Sequence, residues 1–181
     1  MSRCPNPVGV MIEFGMLENH RVITQPLNHA EWNLVRAFVR KLDRNDIWMR
    51  FGRPLDLQQD VILKEFFDIR AGIGEIVWSP DEHGAIAGLL HRIRVSSSEA
   101  EIGLVVRSDL KRNGIGESLV RGTLDRSAGC RLETLSCFVL RENAPTLALA
   151  KKVGFFPRSI TAQSVEFEIQ TASEIHRAAP P

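Results

Sequence analysis

Apolar and polar positions along the chain divide it into short elements. Leu34, Phe38 and Leu42 recur at intervals of four with Val35 and Val39 beside them, and Asn28 with Glu31 three positions on forms an N-cap signal. This predicts an amphipathic helix over 29–42. Residues 46–54, carrying Trp48 and Phe51, read as a loop. Asp56 can cap a second helix ending near 69, with Ile62, Phe66 and Ile69 on one stripe. Strands are predicted at 21–24, 75–79 and 85–95, the last two joined by a hairpin connection at 80–84. A strand-like run over 102–106 leads through a polar turn into a helix over 117–126. Residues 131–140 are mainly apolar without clean alternation, which predicts a strand covered on both faces. Asn143 and Pro145 open a helix that runs to Lys152 and stops at Gly154. Strands at 155–160 and 164–170 complete the order β-α-α-β-β-β-α-β-α-β-β. That is an α/β (α+β) mixed sheet with helices on both faces. Residues 1–20, broken by Pro5, Pro7 and Gly9, read as a tail or loose strand, 21–170 as one domain, and 171–181 as a C-terminal tail.

Composition narrows the function classes. An apolar fraction of 44% and a charged fraction of 25% are those of an ordinary globular protein. A net charge of +1 offers no broad attraction to nucleic acid or an anionic membrane. No apolar run approaches a membrane span, and no secretory signal is legible, so a cytoplasmic protein is expected. Cys4, Cys130 and Cys137 lack metal-ligand spacing; reduced thiols and no metal site are expected.

The stretch 99–118 holds the chemistry. After the strand come Lys111, Arg112, Asn113, Gly114, Ile115 and Gly116, then Glu117 at the start of a helix. Glycines there leave backbone N–H groups unshielded, and the helix N-terminus adds unpaired N–H groups with partial positive charge, a combination suited to phosphate oxygens. A Walker loop would need Lys-Ser/Thr after Gly116, where Glu117-Ser118 stands. A dinucleotide fingerprint would need Gly at Leu119. The second Gly-x-Gly, Gly72 to Gly74, precedes a strand and reads as a turn.

What is left, basic-x-x-Gly-x-Gly after a strand, resembles the pyrophosphate loop of the GNAT N-acetyltransferases, with Lys111 where Arg or Gln is usual. The element order resembles the GNAT fold through about 21–170. A second stretch, with Asn143, Leu149, Lys152, Gly154 and Phe155 in register, resembles the motif that follows the family's fifth strand. Residues 35–42, 48–52, 100–111 and 147–155 are similar to Pat-type protein lysine acetyltransferases; many of those also carry a large acyl-CoA-ligase-like domain, and a stand-alone catalytic module is the expectation here.

The resemblance implies acetyl-CoA as co-substrate. Its diphosphate would lie on Lys111, Arg112, Asn113, Gly114, Ile115, Gly116 and Glu117, its pantetheine along Leu104, Val105 and Val106, with Asn143 in contact. A backbone N–H at Val105 or Val106 would face the thioester oxygen. The acceptor would be a primary amine, leaning to protein lysine, with a small-molecule amine next and a non-catalytic acyl-CoA-binding module or a nucleotide-binding fold as other classes. Oligomers are compatible with it. A lysine amine is only ~0.1% neutral near pH 7.4, so a base is needed. Glu101, in an otherwise apolar strand, is the first candidate and Glu99 the second; the alternative for Glu101 is a strand-end carboxylate facing solvent or paired with Arg92 or Arg94. Ala150 stands where many relatives carry a tyrosine acid, and the chain has no tyrosine. Cys137 reads as packing rather than nucleophile, and His91 as a core histidine. Trp48, Arg50 and Phe51 are candidates for lining the acceptor site, with Trp48 and Phe51 equally readable as core.

Overall fold

The computed structural model describes residues 12–17, 20–27, 32–57, 59, 74–129 and 132–171. Strands β1 (Ile12–Leu17), β2 (His20–Pro26), β3 (Gly74–Pro80), β4 (Ile86–Arg94), β5 (Glu99–Val106), β6 (Thr134–Leu140), β7 (Phe156–Ile160) and β8 (Ser164–Gln170) form one sheet in the order β1-β2-β3-β4-β5-β6-β8-β7. Every neighbouring pair is antiparallel except β5 and β6, which run parallel because α3 (Ile115–Gly129) connects them. On the other face lie α1 (Trp32–Val39) and α2 (Arg44–Phe51), while α4 (Ala144–Val153) sits beside α3.

Side-chain alternation divides the core. Ala100 and Ile102 of β5 join Leu119, Leu135 and Phe167 in the cluster under α3 and α4. Val105 points the opposite way, into a cluster with Phe38, Ile76 and Trp78 under α1. β4 is buried without interruption from Ile86 to His91, as a strand covered on both faces must be. Gly88 lets α3 sit close against it: a Cβ there would stand 2.7 Å from Cγ2 of Ile115, in the first turn of the helix.

The hairpin at 80–84, the helices after Gly114 and Asn143 and the last two strands lie where the pattern put them. Two readings change. Residues 46–54 are not a loop: α2 occupies most of them. Asp43 accepts the Asp46 N–H at 2.6 Å while Asp46 accepts the Asp43 N–H, a reciprocal cap, and Gly52 ends the helix at φ 65°. The apolar residues of α2 make no clear stripe, so periodicity missed it although Asp43-x-x-Asp46 was legible. Nor is β6 covered on both faces: Phe138 is 61% exposed, because it lies on the α1/α2 side, where no described helix covers it. The helix expected after Asp56 falls mostly outside the described residues, as do 1–11 and 172–181.

Candidate active site

The parallel pair opens into a fork. β5 and β6 are in register only from Glu99–Thr134 to Glu101–Ser136; beyond that β5 pairs with β4 alone among the described strands. The Arg107 N–H donates to the Ala87 carbonyl at 3.0 Å, and the antiparallel register is unbroken back to Ala100. Backbone direction alternates along such a strand, so Val105 turns its N–H to β4 while Leu104 and Val106 turn theirs into the gap. Of the two donors named from sequence, Val106 faces the opening and Val105 does not; Leu104 is the other open donor. A pocket of about 550 Å³, counting the space open to solvent, fills the fork. Its walls are Ile102 to Leu104, Cys137 to Val139, Met49 and Arg50 from α2, and Asn143, Leu149 and Ala150.

The loop ahead of α3 is held in an unusual backbone conformation. Arg112 and Gly114 both have positive φ, 68° and 74°. The Ser118 N–H reaches back to the Gly114 carbonyl at 3.0 Å, and among the described residues the N–H groups from Arg112 to Glu117 meet no acceptor. Such a run of unpaired N–H groups at the N-terminus of a 15-residue helix suits an anion. The Asn113 amide closes the turn onto the Leu110 carbonyl at 3.3 Å, and Arg112 is exposed.

The Lys111 ammonium, named from sequence for the diphosphate, is engaged here with protein groups. Its ammonium pairs with Asp46, whose side chain is fully buried, and lies 3.2 Å from Ser108 Oγ, itself 2.9 Å from oxygens of Asp43 and Asp46. Lys111 thus fastens the loop to the capped start of α2. The Glu117 side chain bonds Lys152 at 2.6 Å and Arg121 at 3.1 Å, tying α3 to α4. Lys152 foremost, then Arg121, holds Glu117 below the usual carboxylate range against the effect of partial burial.

Arg107 secures the start of the loop. Its buried guanidinium bonds Asp81 at 2.7 Å and Asp109 at 2.6 Å. Burial pushes the Asp81 carboxyl upward, but Arg107 and the N–H groups of His83 and Ala85 outweigh it, so Asp81 titrates below its ordinary 3.8. A depressed folded pKa stabilises the fold above the unfolded value and loses that contribution as pH falls through the folded one. Asp81→Asn is therefore expected to cost about 1.5–3 kcal/mol at pH 7. Thermal melts at successive pH values should show the difference from the parent protein shrinking below about pH 4.

Glu101 is exposed on the α1/α2 face at the crotch of the fork. Among the described residues its side chain enters no hydrogen bond or ion pair; Arg92 donates to Ser127 and Arg94 to the Ser97 carbonyl. Glu99 is held by Arg158 at 3.1 Å, in a network with Glu166 and Glu168. Asn143 caps α4, accepting the Thr146 N–H at 3.2 Å, while its amide group donates to nothing among the described residues. Burial first, and Glu101 second, pushes the Cys137 thiol up to about 12, which leaves almost no thiolate at neutral pH. His91 is buried in β4, as a core histidine. Of the three residues named for the acceptor side, Arg50 reaches the pocket, Trp48 donates to Glu142, and Phe51 packs with the α1 cluster. No described helix is long and apolar enough to cross a membrane, and no described group of His, Cys, Asp and Glu is arranged to hold a metal.

Comparison with known proteins bears on the fold and the family. The GNAT domain of PAT from S. lividans superposes with a TM-score of 0.79 over 88% of this chain and 96% of that one, at 13% identity. Spermidine N-acetyltransferase from Vibrio cholerae, solved with CoA and spermine, gives 0.69 over 85% and 98%, at 16% identity. Both show a shared fold. Mycothiol acetyltransferase of Clavibacter michiganensis subsp. michiganensis (strain NCPPB 382) is 31% identical over 84 residues, 46% of this chain. That match spans about a quarter of the relative's length, 27%. The model of the Acetyltransferase (GNAT) family matches residues 44–155, more than half of the sequence. The chain belongs to the GNAT family of acetyl-CoA-dependent N-acetyltransferases.

Proposed function

We propose that this protein transfers the acetyl group of acetyl-CoA to a primary amine presented on the α1/α2 side of the fork, by direct attack with Glu101 as general base. The observation that carries the reading is the fork itself: an unpaired β5 edge leads from the uncommitted carboxylate of Glu101 to the open N–H groups of the 112–117 loop. Acetyl-CoA, when bound, supplies an activated acyl carbon and a thiol leaving group. The loop N–H groups, with Arg112 beside them, would hold its diphosphate. Leu104 and Val106 would bond the pantetheine through their open backbone groups, and one of their N–H groups would steady the thioester oxygen. The unused amide of Asn143 would add a contact.

Glu101 has the proton to remove. An ammonium acceptor is inert, and Glu101, reached directly or through water, takes its proton as the amine becomes a nucleophile. No tyrosine is available as acid; a thiol with an ordinary pKa near 8.5 departs as thiolate without one. The high pKa of Cys137 argues against a covalent acetyl-enzyme. A protein lysine acceptor is what the sequence resemblance implies. A small amine is the second reading, favoured by the position of Arg50.

Titration calorimetry with acetyl-CoA, CoA, ATP and NAD, followed by thiol release in the presence of amines, tests the proposal. Acetyl-CoA and CoA are expected to bind in preference to the nucleotides, and amines to release thiol. Preferential binding of ATP or NAD would remove its basis. CoA binding without transfer to any amine would leave a binding module.

A further inference from the structure

The guanidinium of Arg50 occupies a place that the transfer chemistry does not require. It projects from α2 onto the face of β5 that carries Glu101 and lies flat on Gly103, where an added Cβ would overlap it. It lines the pocket and leans over the Phe51 ring, 4.9 Å from the centroid. Its Nε is buried with no hydrogen-bond partner, and no ion pair among the described residues includes Arg50. Burial draws its pKa down to about 10, Glu101 acting in the opposite sense, so it is a cation at neutral pH. Arg50 is half-buried, its sealed Nε–H lacks an acceptor, and a guanidinium is the group best shaped to take a carboxylate through paired N–H donors.

The arrangement beside it tells which carboxylate. Glu101 and Gly103 are two residues apart on one face of a strand, about 7 Å. The face thus presents a negative and a positive group side by side without an ion pair between them. An amine that goes to Glu101 places a carboxylate a few ångströms away on Arg50 only if the two groups are carried on the same or neighbouring carbons. A polyamine would bring a second cation against Arg50, and a lysine side chain would offer it only methylenes.

We infer that Arg50 is a specificity-determining residue that receives the carboxylate of the acceptor, making the substrate of this site a free amino acid acetylated on its α-amine. This rests on the acetyltransferase reading above. Glu101 would take the amine proton while Arg50 fixes the other end of the zwitterion, and Gly103 would be kept small to admit the guanidinium.

The test is thiol release from acetyl-CoA with matched acceptors: phenylalanine against phenethylamine, lysine against cadaverine, methionine against its decarboxylated amine, and spermidine. The parent protein is expected to favour the carboxylate-bearing member of each pair by roughly 10–100-fold in kcat/KM, the worth of a hydrogen-bonded charge pair. Arg50→Gln should bring that ratio close to one, mainly by raising KM for the amino acids. Gly103→Ala, which displaces the guanidinium but keeps its charge, should lower the ratio as well. CoA affinity of each variant reports that the fold is intact. Equal or better turnover of the decarboxylated amines or spermidine by the parent protein overturns the inference and leaves the transferase standing, as does an unchanged ratio in Arg50→Gln with CoA binding intact. Absence of transfer to every amine overturns both.

Discussion

Glu101→Gln is expected to lower kcat by about 10²–10⁴-fold while acetyl-CoA affinity stays within about twofold. The change keeps the shape of the side chain and removes its negative charge and with it its capacity to accept a proton. Glu101 is exposed and makes no bond among the described residues that a glutamine would break, so stability should hardly move. That separates this substitution from one at Glu99, where loss of the bond to Arg158 would disturb a network of four charged residues. Steady-state kinetics over a range of pH, beside calorimetry with CoA, make the measurement. Turnover that survives in Glu101→Gln would exclude this carboxylate as base. A parallel loss of CoA affinity would mean that it acts on the shape of the fork instead.

Gly114→Val is expected to abolish measurable CoA binding, a loss of at least about 10–100-fold for each charge-assisted hydrogen bond that the loop can no longer make. Gly114 sits at φ 74°, where a β-branched residue is strained. The loop would relax into another conformation, and the N–H groups of 112–117 would lose their present arrangement. Gly116 differs in kind. Its φ is ordinary, and a Cβ there would stand 3.2 Å from a Leu104 methyl and 3.3 Å from a Leu149 methyl, at the pocket wall. Gly116→Ala should thus disturb packing more than phosphate contact. Comparing CoA affinity with thermal stability for the two variants tells these effects apart. Unchanged affinity in folded Gly114→Val protein would remove the loop from the cofactor site.

Lys111 shows what a local motif leaves out. A basic residue before Gly-x-Gly was legible as a feature of the loop, but its partner, Asp46, is 65 positions earlier and fully buried. Nothing local announces that pairing. Arg50 is the reverse. It was named with Trp48 and Phe51 for the acceptor side, yet its place is set by the contact with Gly103, made by packing α2 across β5.

Local pattern by itself determined the order of most elements, the caps at Asn143 and Gly154, the hairpin at 80–84, and the loop geometry that needs Gly114, because these depend on interactions between near neighbours. Alternation also marked Glu101 as the polar residue in an apolar strand. The tertiary structure alone decided that Leu104 and Val106 rather than Val105 open their N–H groups to the gap, and that Glu101 has no arginine partner on β4. Those outcomes depend on strand register, on where β5 leaves β6, and on side chains brought together from distant parts of the chain. A one-residue change of register would exchange the open and closed N–H groups while leaving every residue type in place.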